Sequence, residues 1–171
     1  MKKLLGIVAI SLTLTGCSSP VPEAKPEQEV VSSAYGLPGD CEIKELLALD
    51  TSFQAIDQTE GVAKNARNCI VGTPNSDVGI WFDFKVVEQA EWDGIVANDL
   101  KPEGYQPFEA GIEGVEVWRA QVGSEEEGIT CTMQGRMGGI AFTIMEPWVE
   151  CEDKWNKDLV GYVVDHAAIE N

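Results

Sequence analysis

The chain has 171 residues, of which 12 are basic and 29 acidic, for a net charge of −17. That length fits one domain of ordinary size. The acidic balance excludes nucleic acid as a partner, since such binding draws its affinity from Lys and Arg neutralising phosphates, and it opposes adsorption to anionic lipid headgroups.

The chain opens on Met1-Lys2-Lys3 and continues in a run from Leu4 to Leu14 that is apolar apart from small and hydroxyl-bearing side chains. A spanning helix needs ~20 apolar residues, so this shorter run reads as the core of an export signal. It ends in Leu14-Thr15-Gly16-Cys17, a lipobox-like sequence. There, small residues let the backbone enter a peptidase cleft, and the thiol takes acyl chains. The expectation is a signal peptide over 1–16 and a lipid anchor at Cys17. Each buried CH₂ contributes ~0.8 kcal/mol, so two or three chains hold stably. The expected place is the outer face of the cytoplasmic membrane, or the outer membrane in a host that has two. Residues 18–39 hold four prolines and few large apolar side chains. They cannot bury enough to fold, which makes 17–39 a tether and 40–171 the domain.

Asp40 is positioned to cap a short helix over 41–49, with Ile43, Leu46 and Leu47 on one face. Thr51-Ser52-Phe53-Gln54 resembles a capping box and predicts a second short helix or turn. A strand is expected over 67–73, stopped by Pro74-Asn75. Over 79–87 the alternation is clear: Ile80, Phe82, Phe84 and Val86 share one side, and Trp81, Asp83 and Lys85 the other. From Glu88 the period lengthens, and Trp92, Ile95, Val96 and Leu100 fall at helical spacing until Lys101-Pro102.

A further strand is expected over 115–122, followed by a polar loop over 123–128. Ile129, Cys131 and Met133 then alternate with Thr130, Thr132 and Gln134. Across a turn at 135–139, Ile140, Phe142 and Ile144 alternate with Ala141, Thr143 and Met145, which predicts a β-hairpin. The last element is a helix from about Cys151, with Trp155, Leu159, Val163 and Ala167 as its apolar stripe, widened by Val160 and Val164. Glu152 and Asp153 suit its positive start and His166 its end. Gly161, inside it, costs ~1 kcal/mol relative to alanine. The fold class these elements predict is α+β, an antiparallel sheet of four or five strands with helices on one face.

Besides Cys17 the chain has Cys41, Cys69, Cys131 and Cys151. An even number in an exported domain implies two disulfides. Zinc sites place ligands in close pairs, whereas this chain has no C-x-x-C and a single histidine. Of the three connectivities, Cys41–Cys69 with Cys131–Cys151 closes short local loops and is the one expected. Each bridge would contribute roughly 3–4 kcal/mol.

The order of these landmarks resembles a known family. A lipobox and Pro-rich tether precede Asp40-Cys41-Glu42-Ile43-Lys44-Glu45-Leu46-Leu47. Asn68-Cys69-Ile70-Val71, Gly111-Ile112-Glu113-Gly114-Val115, Ile129-Thr130-Cys131-Thr132 and Glu150-Cys151-Glu152-Asp153 follow. The pattern is similar to the actinobacterial lipoproteins grouped as domain of unknown function 3558. It more distantly resembles the extracellular sensor domains of mycobacterial membrane kinases. The resemblance covers about residues 40–168. It implies the same two disulfides and an α+β fold, and it carries no activity. This chain departs from the family in having Asp40 where proline usually precedes the first cysteine, and Val71 where tryptophan often follows the second.

The chain offers little for catalysis. A Ser-His-Asp arrangement needs an imidazole between nucleophile and carboxylate, and His166 sits at a helix end. Cysteine catalysis needs a free thiolate. No G-x-S-x-G, P-loop or dinucleotide fingerprint occurs, and no cofactor is expected. Two carboxylates can hydrolyse a glycoside, so a carboxylate-based hydrolase of envelope glycans is the alternative reading. Glu125, Glu126 and Glu127 could hold Ca²⁺ through their oxygens, although the run lacks the pattern of an EF-hand loop and a charged loop tip needs no further explanation. Trp81, Trp118 and Trp148 are the candidate binding aromatics, Trp81 first among them. The leading expectation is a non-catalytic surface module, attached to the membrane through Cys17, that binds an envelope protein or a small ligand.

Overall fold

The computed structural model describes residues 34–74, 79–124 and 128–169. The expected signal peptide, the expected lipidation site Cys17, most of the expected tether and the Glu125, Glu126, Glu127 run lie outside the described residues. Seven strands form one sheet in the order β1-β2-β3-β7-β6-β5-β4. They are β1 (Gln54–Asp57), β2 (Ala66–Gly72), β3 (Gly79–Val86), β4 (Gln106–Pro107), β5 (Val115–Ser124), β6 (Gly128–Met137) and β7 (Ile140–Pro147). Every pairing is antiparallel. Two meanders, β1-β2-β3 and β4-β5-β6-β7, meet where β3 lies beside β7.

The α+β class is as expected, but the sheet is wider than four or five strands. The two unforeseen strands are its edges. Residues 51–54 form a turn and the start of β1: the Ser52 amide and hydroxyl donate to Asp50 Oδ1 at 2.8 and 2.7 Å. β4 is two residues long and contains Pro107, which an edge tolerates because no neighbour needs its missing N–H. Short edge strands with few buried side chains leave no alternation to read.

Three helices accompany the sheet: α1 (Lys44–Leu47), α2 (Gln89–Ile95, continued by a π-helical turn over Val96–Leu100) and α3 (Asp153–Ala167). They lie on both faces, not one. On the inner face, Val71, Phe82, Phe84, Met133, Phe142 and Ile144 pack with Leu159, Val160 and Val163 of α3 and with Ile43 and Leu46 from the α1 segment. On the outer face, Trp92, Val96 and Leu100 pack on Trp118 and Ala120 of β5. The reason lies in β5. Val117 turns inward and Trp118 and Ala120 outward, so both of its sides are apolar and both need cover. Glu116 completes the outer cluster by accepting from two indoles, Trp92 Nε1 at 2.9 Å and Trp118 Nε1 at 2.8 Å.

Residues before Asp40 pair with the end of α3. Tyr35 bridges Ala168, the Gly36 amide donates to the Ala167 carbonyl at 2.9 Å, and the Ile169 amide donates to the Ala34 carbonyl at 2.9 Å. Asp40 does not cap α1; its Oδ1 accepts the Glu42 amide at 2.9 Å in a turn before the helix. In the hairpin, β6 runs through Gly135, where a side chain is impossible: a Cβ would meet the Phe142 ring at 2.3 Å.

Both disulfides have the expected partners, Cys41 with Cys69 and Cys131 with Cys151. The first ties the α1 segment to β2, the second ties β6 to the start of α3. Among the described residues no helix is long and apolar enough to cross a membrane.

Candidate functional site

The inward positions of β7 are Ile140, Phe142, Ile144 and then Glu146, which is only 3% exposed. A carboxylate in the core phase of a strand is costly unless hydrogen-bonded. Glu146 lies opposite Cys131, whose bridge to Cys151 brings the first turn of α3 over this end of the sheet. That turn supplies two donors. Trp155 Nε1 donates to Glu146 Oε1, and Asn156 Nδ2 donates to Oε2 at 3.1 Å. Asn156 is itself oriented by Arg119, whose guanidinium donates to its Oδ1 at 3.0 Å and to Asp153 Oδ1 at 2.7 Å while lying over the Phe108 ring. Burial pushes the Glu146 carboxyl above the ordinary carboxylate range, and the Trp155 and Asn156 hydrogen bonds pull it partly back.

Glu146 borders a cleft of about 480 Å³ between the end of the sheet, the start of α3 and the loop after α1. Its walls are Leu49, Phe53, Val71, Ile80, Val149 and Trp155, with Pro147 and Asp50 also lining it. Asp50 is exposed, and its pKa is lowered by the Ser52 backbone and hydroxyl hydrogen bonds. A largely apolar cleft of this size with one buried polar group at its wall is the usual form of a small-ligand site. It can desolvate an apolar body while Glu146 fixes the position of one hydrogen-bond donor.

The three tryptophans singled out from the sequence are not brought together. Trp118 is 9% exposed and packs in the cluster under α2, with one edge reaching a small cleft beside Pro107 and Phe108. Trp81 is 41% exposed on the outer face, opposite Phe82 and Phe84 as its alternation requires. Trp148 is 64% exposed, has φ 67°, and its ring occupies the space over Gly128, where a Cβ would meet it at 2.3 Å. His166 Nε2 lies 3.1 Å from the Asp40 carbonyl oxygen, a helix-end contact. Among the described residues no group of three or more His, Cys, Asp or Glu is placed to hold a metal ion. Sequence reasoning missed Glu146, Asn156 and Arg119. The available signal was phase: Glu146 continues the inward series of Ile140, Phe142 and Ile144.

Comparison of the chain with protein-family models, with curated proteins and with solved structures finds no match.

Proposed function

We propose that this chain is a cell-envelope lipoprotein, held on the outer face of the membrane by acyl chains on Cys17 and akin to the lipoproteins of domain of unknown function 3558. Its domain binds a small apolar ligand in the Glu146 cleft and does not transform it. The basic-apolar-small-cysteine order of the N-terminus supports the anchor, and two disulfides suit an oxidising exterior. The observation that carries the binding reading is the cleft itself: one buried carboxylate set in aliphatic and aromatic walls.

The ligand class follows from those walls. It has an apolar body and a single donor, a hydroxyl or amine, for Glu146. Titration with N-phenyl-1-naphthylamine, an apolar fluorophore with one N–H, tests this directly. The wild-type chain should bind it saturably, and Ile80→Trp, which fills the cleft, should abolish binding. Equal binding by both would refute the reading.

A carboxylate-based hydrolase of envelope glycans is the second reading. It is favoured by one observation: Asp50 and Glu146 line the same cleft with pKa values moved in opposite directions, the pattern expected of an acid and its partner carboxylate. It ranks second because the walls offer few hydrogen-bonding groups for a sugar. If it holds, Asp50→Asn and Glu146→Gln each abolish release of reducing sugar from purified cell-wall glycan; activity surviving both substitutions would exclude it.

A further inference from the structure

α2 covers only part of the outer face. Strand register shows what it leaves open. Ile56, Ile70, Trp81 and Met145 are successive cross-strand partners from β1 to β7, so they form one row on one face. The next row on the same face is Asn68, Asp83, Thr143 and Gln134. Two shallow clefts adjoin along these rows. One, of about 280 Å³, is lined by Trp81, Thr130, Met145 and Pro147. The other, of about 220 Å³, includes Asp83, Gln134 and Thr143 and is walled by Trp92 and Ile95 of α2.

Asp83 is the unexplained group. Its side chain is partly buried, and among the described residues no hydrogen bond or ion pair engages its carboxylate. Burial alone acts on it, moving its pKa upward. The nearest cation along the strand, Lys85, is committed to Glu91 at 2.6 Å. A half-desolvated acceptor without a partner costs free energy that a ligand's donor can recover.

We propose that this strip is a second binding site, independent of the Glu146 cleft, for a pyranose ring of a neutral saccharide: Trp81 is the stacking platform and Asp83 the main hydrogen-bond acceptor. A pyranose has an apolar C–H face and a rim of hydroxyls. The C–H face meets the electron-rich face of an indole. The hydroxyls need acceptors and donors at its edge, which Asp83, Gln134, Thr143 and Asn68 supply in the adjoining row. A cationic ligand would need only Asp83 and would leave the three uncharged polar side chains without use. The apolar Glu146 cleft lacks such a row, so the two sites select different chemistry.

Isothermal titration of the full chain with maltotriose and with tri-N-acetylchitotriose, both neutral, tests the assignment, alongside amide NMR of the wild type. At least one trisaccharide should bind saturably with Kd on the order of 0.1–1 mM, shifting the Trp81 indole N–H and amides of β3 and β7. Trp81→Ala and Asp83→Ala should each weaken binding at least about tenfold. Trp81→Phe should stay within a few fold of wild type, and Trp148→Ala, which alters the other exposed indole, should leave affinity unchanged. Absence of saturable binding by both sugars would overturn the proposal. So would wild-type affinity in Trp81→Ala, or tetramethylammonium shifting this strip while neither sugar does.

Discussion

Asn156 donates its side-chain amide to Glu146 at 3.1 Å, and both residues are buried. The same Asn156 accepts from Arg119 at 3.0 Å, so one side chain links the first turn of α3 to a carboxylate on β7 and a guanidinium on β5. Asn156→Leu keeps the branched shape, adds some volume and removes both bonds. It should destabilise the domain by about 1–3 kcal/mol, the cost of leaving a buried polar group unpaired. Urea unfolding measures this. Asn156→Asp should be worse at neutral pH, because it sets a second anion against Glu146.

Glu146 also gives stability a definite pH dependence. Its folded pKa is raised, chiefly by burial, so the folded state holds this proton more tightly than the unfolded chain does. The stabilisation is therefore fully present below the unfolded value, near 4.5, and is lost as pH rises through the folded value. Asp83, also raised by burial, acts in the same direction. Glu146→Gln should flatten the decline in stability on raising pH from the unfolded carboxylate range toward neutrality. Thermal unfolding across that range checks it, and an unchanged slope would contradict the assignment.

Alternating side chains made the central strands legible. Ile80, Phe82 and Phe84 against Trp81 and Asp83 have only one arrangement that buries both phenylalanines, and the structure has it. The four cysteines were legible because local loops are the easiest to close. The edges were not: β1 has one half-buried residue and β4 is two residues long, so neither carries a period. Trp118 shows the second limit. Alternation assigns it to the outer face but does not say which part of that face α2 covers, since that is decided by the packing of Trp92 and Leu100 onto β5. Glu146 was readable from its phase. What makes a carboxylate tolerable there, the donors of Trp155 and Asn156, comes from a helix whose placement depends on the Cys131–Cys151 bridge.

That bridge makes the next prediction. The Cys131–Cys151 pair spans 20 residues and Cys41–Cys69 spans 28. Replacing both cysteines of either pair by serine should cost roughly 3–4 kcal/mol. Loss of the Cys131–Cys151 bridge should also weaken fluorophore binding, because it frees the turn that holds Trp155 against the cleft. Denaturant midpoints and the naphthylamine titration, run on the same variants, separate the two effects.

Gly161 lies inside α3, and a Cβ there would meet nothing within 4 Å. Its backbone freedom serves no turn or close approach. Gly161→Ala should therefore stabilise the domain by about 1 kcal/mol, seen as a rise of a few degrees in Tm, with fluorophore binding unchanged.

The claim that the Glu146 cleft is the ligand site is tested most directly by methyl and indole NMR of the full chain during titration with N-phenyl-1-naphthylamine. The account predicts shifts concentrated at Leu49, Val71, Ile80, Val149 and the Trp155 indole N–H, saturating together and absent from Ile80→Trp. Shifts that leave these groups unmoved while others saturate would contradict it.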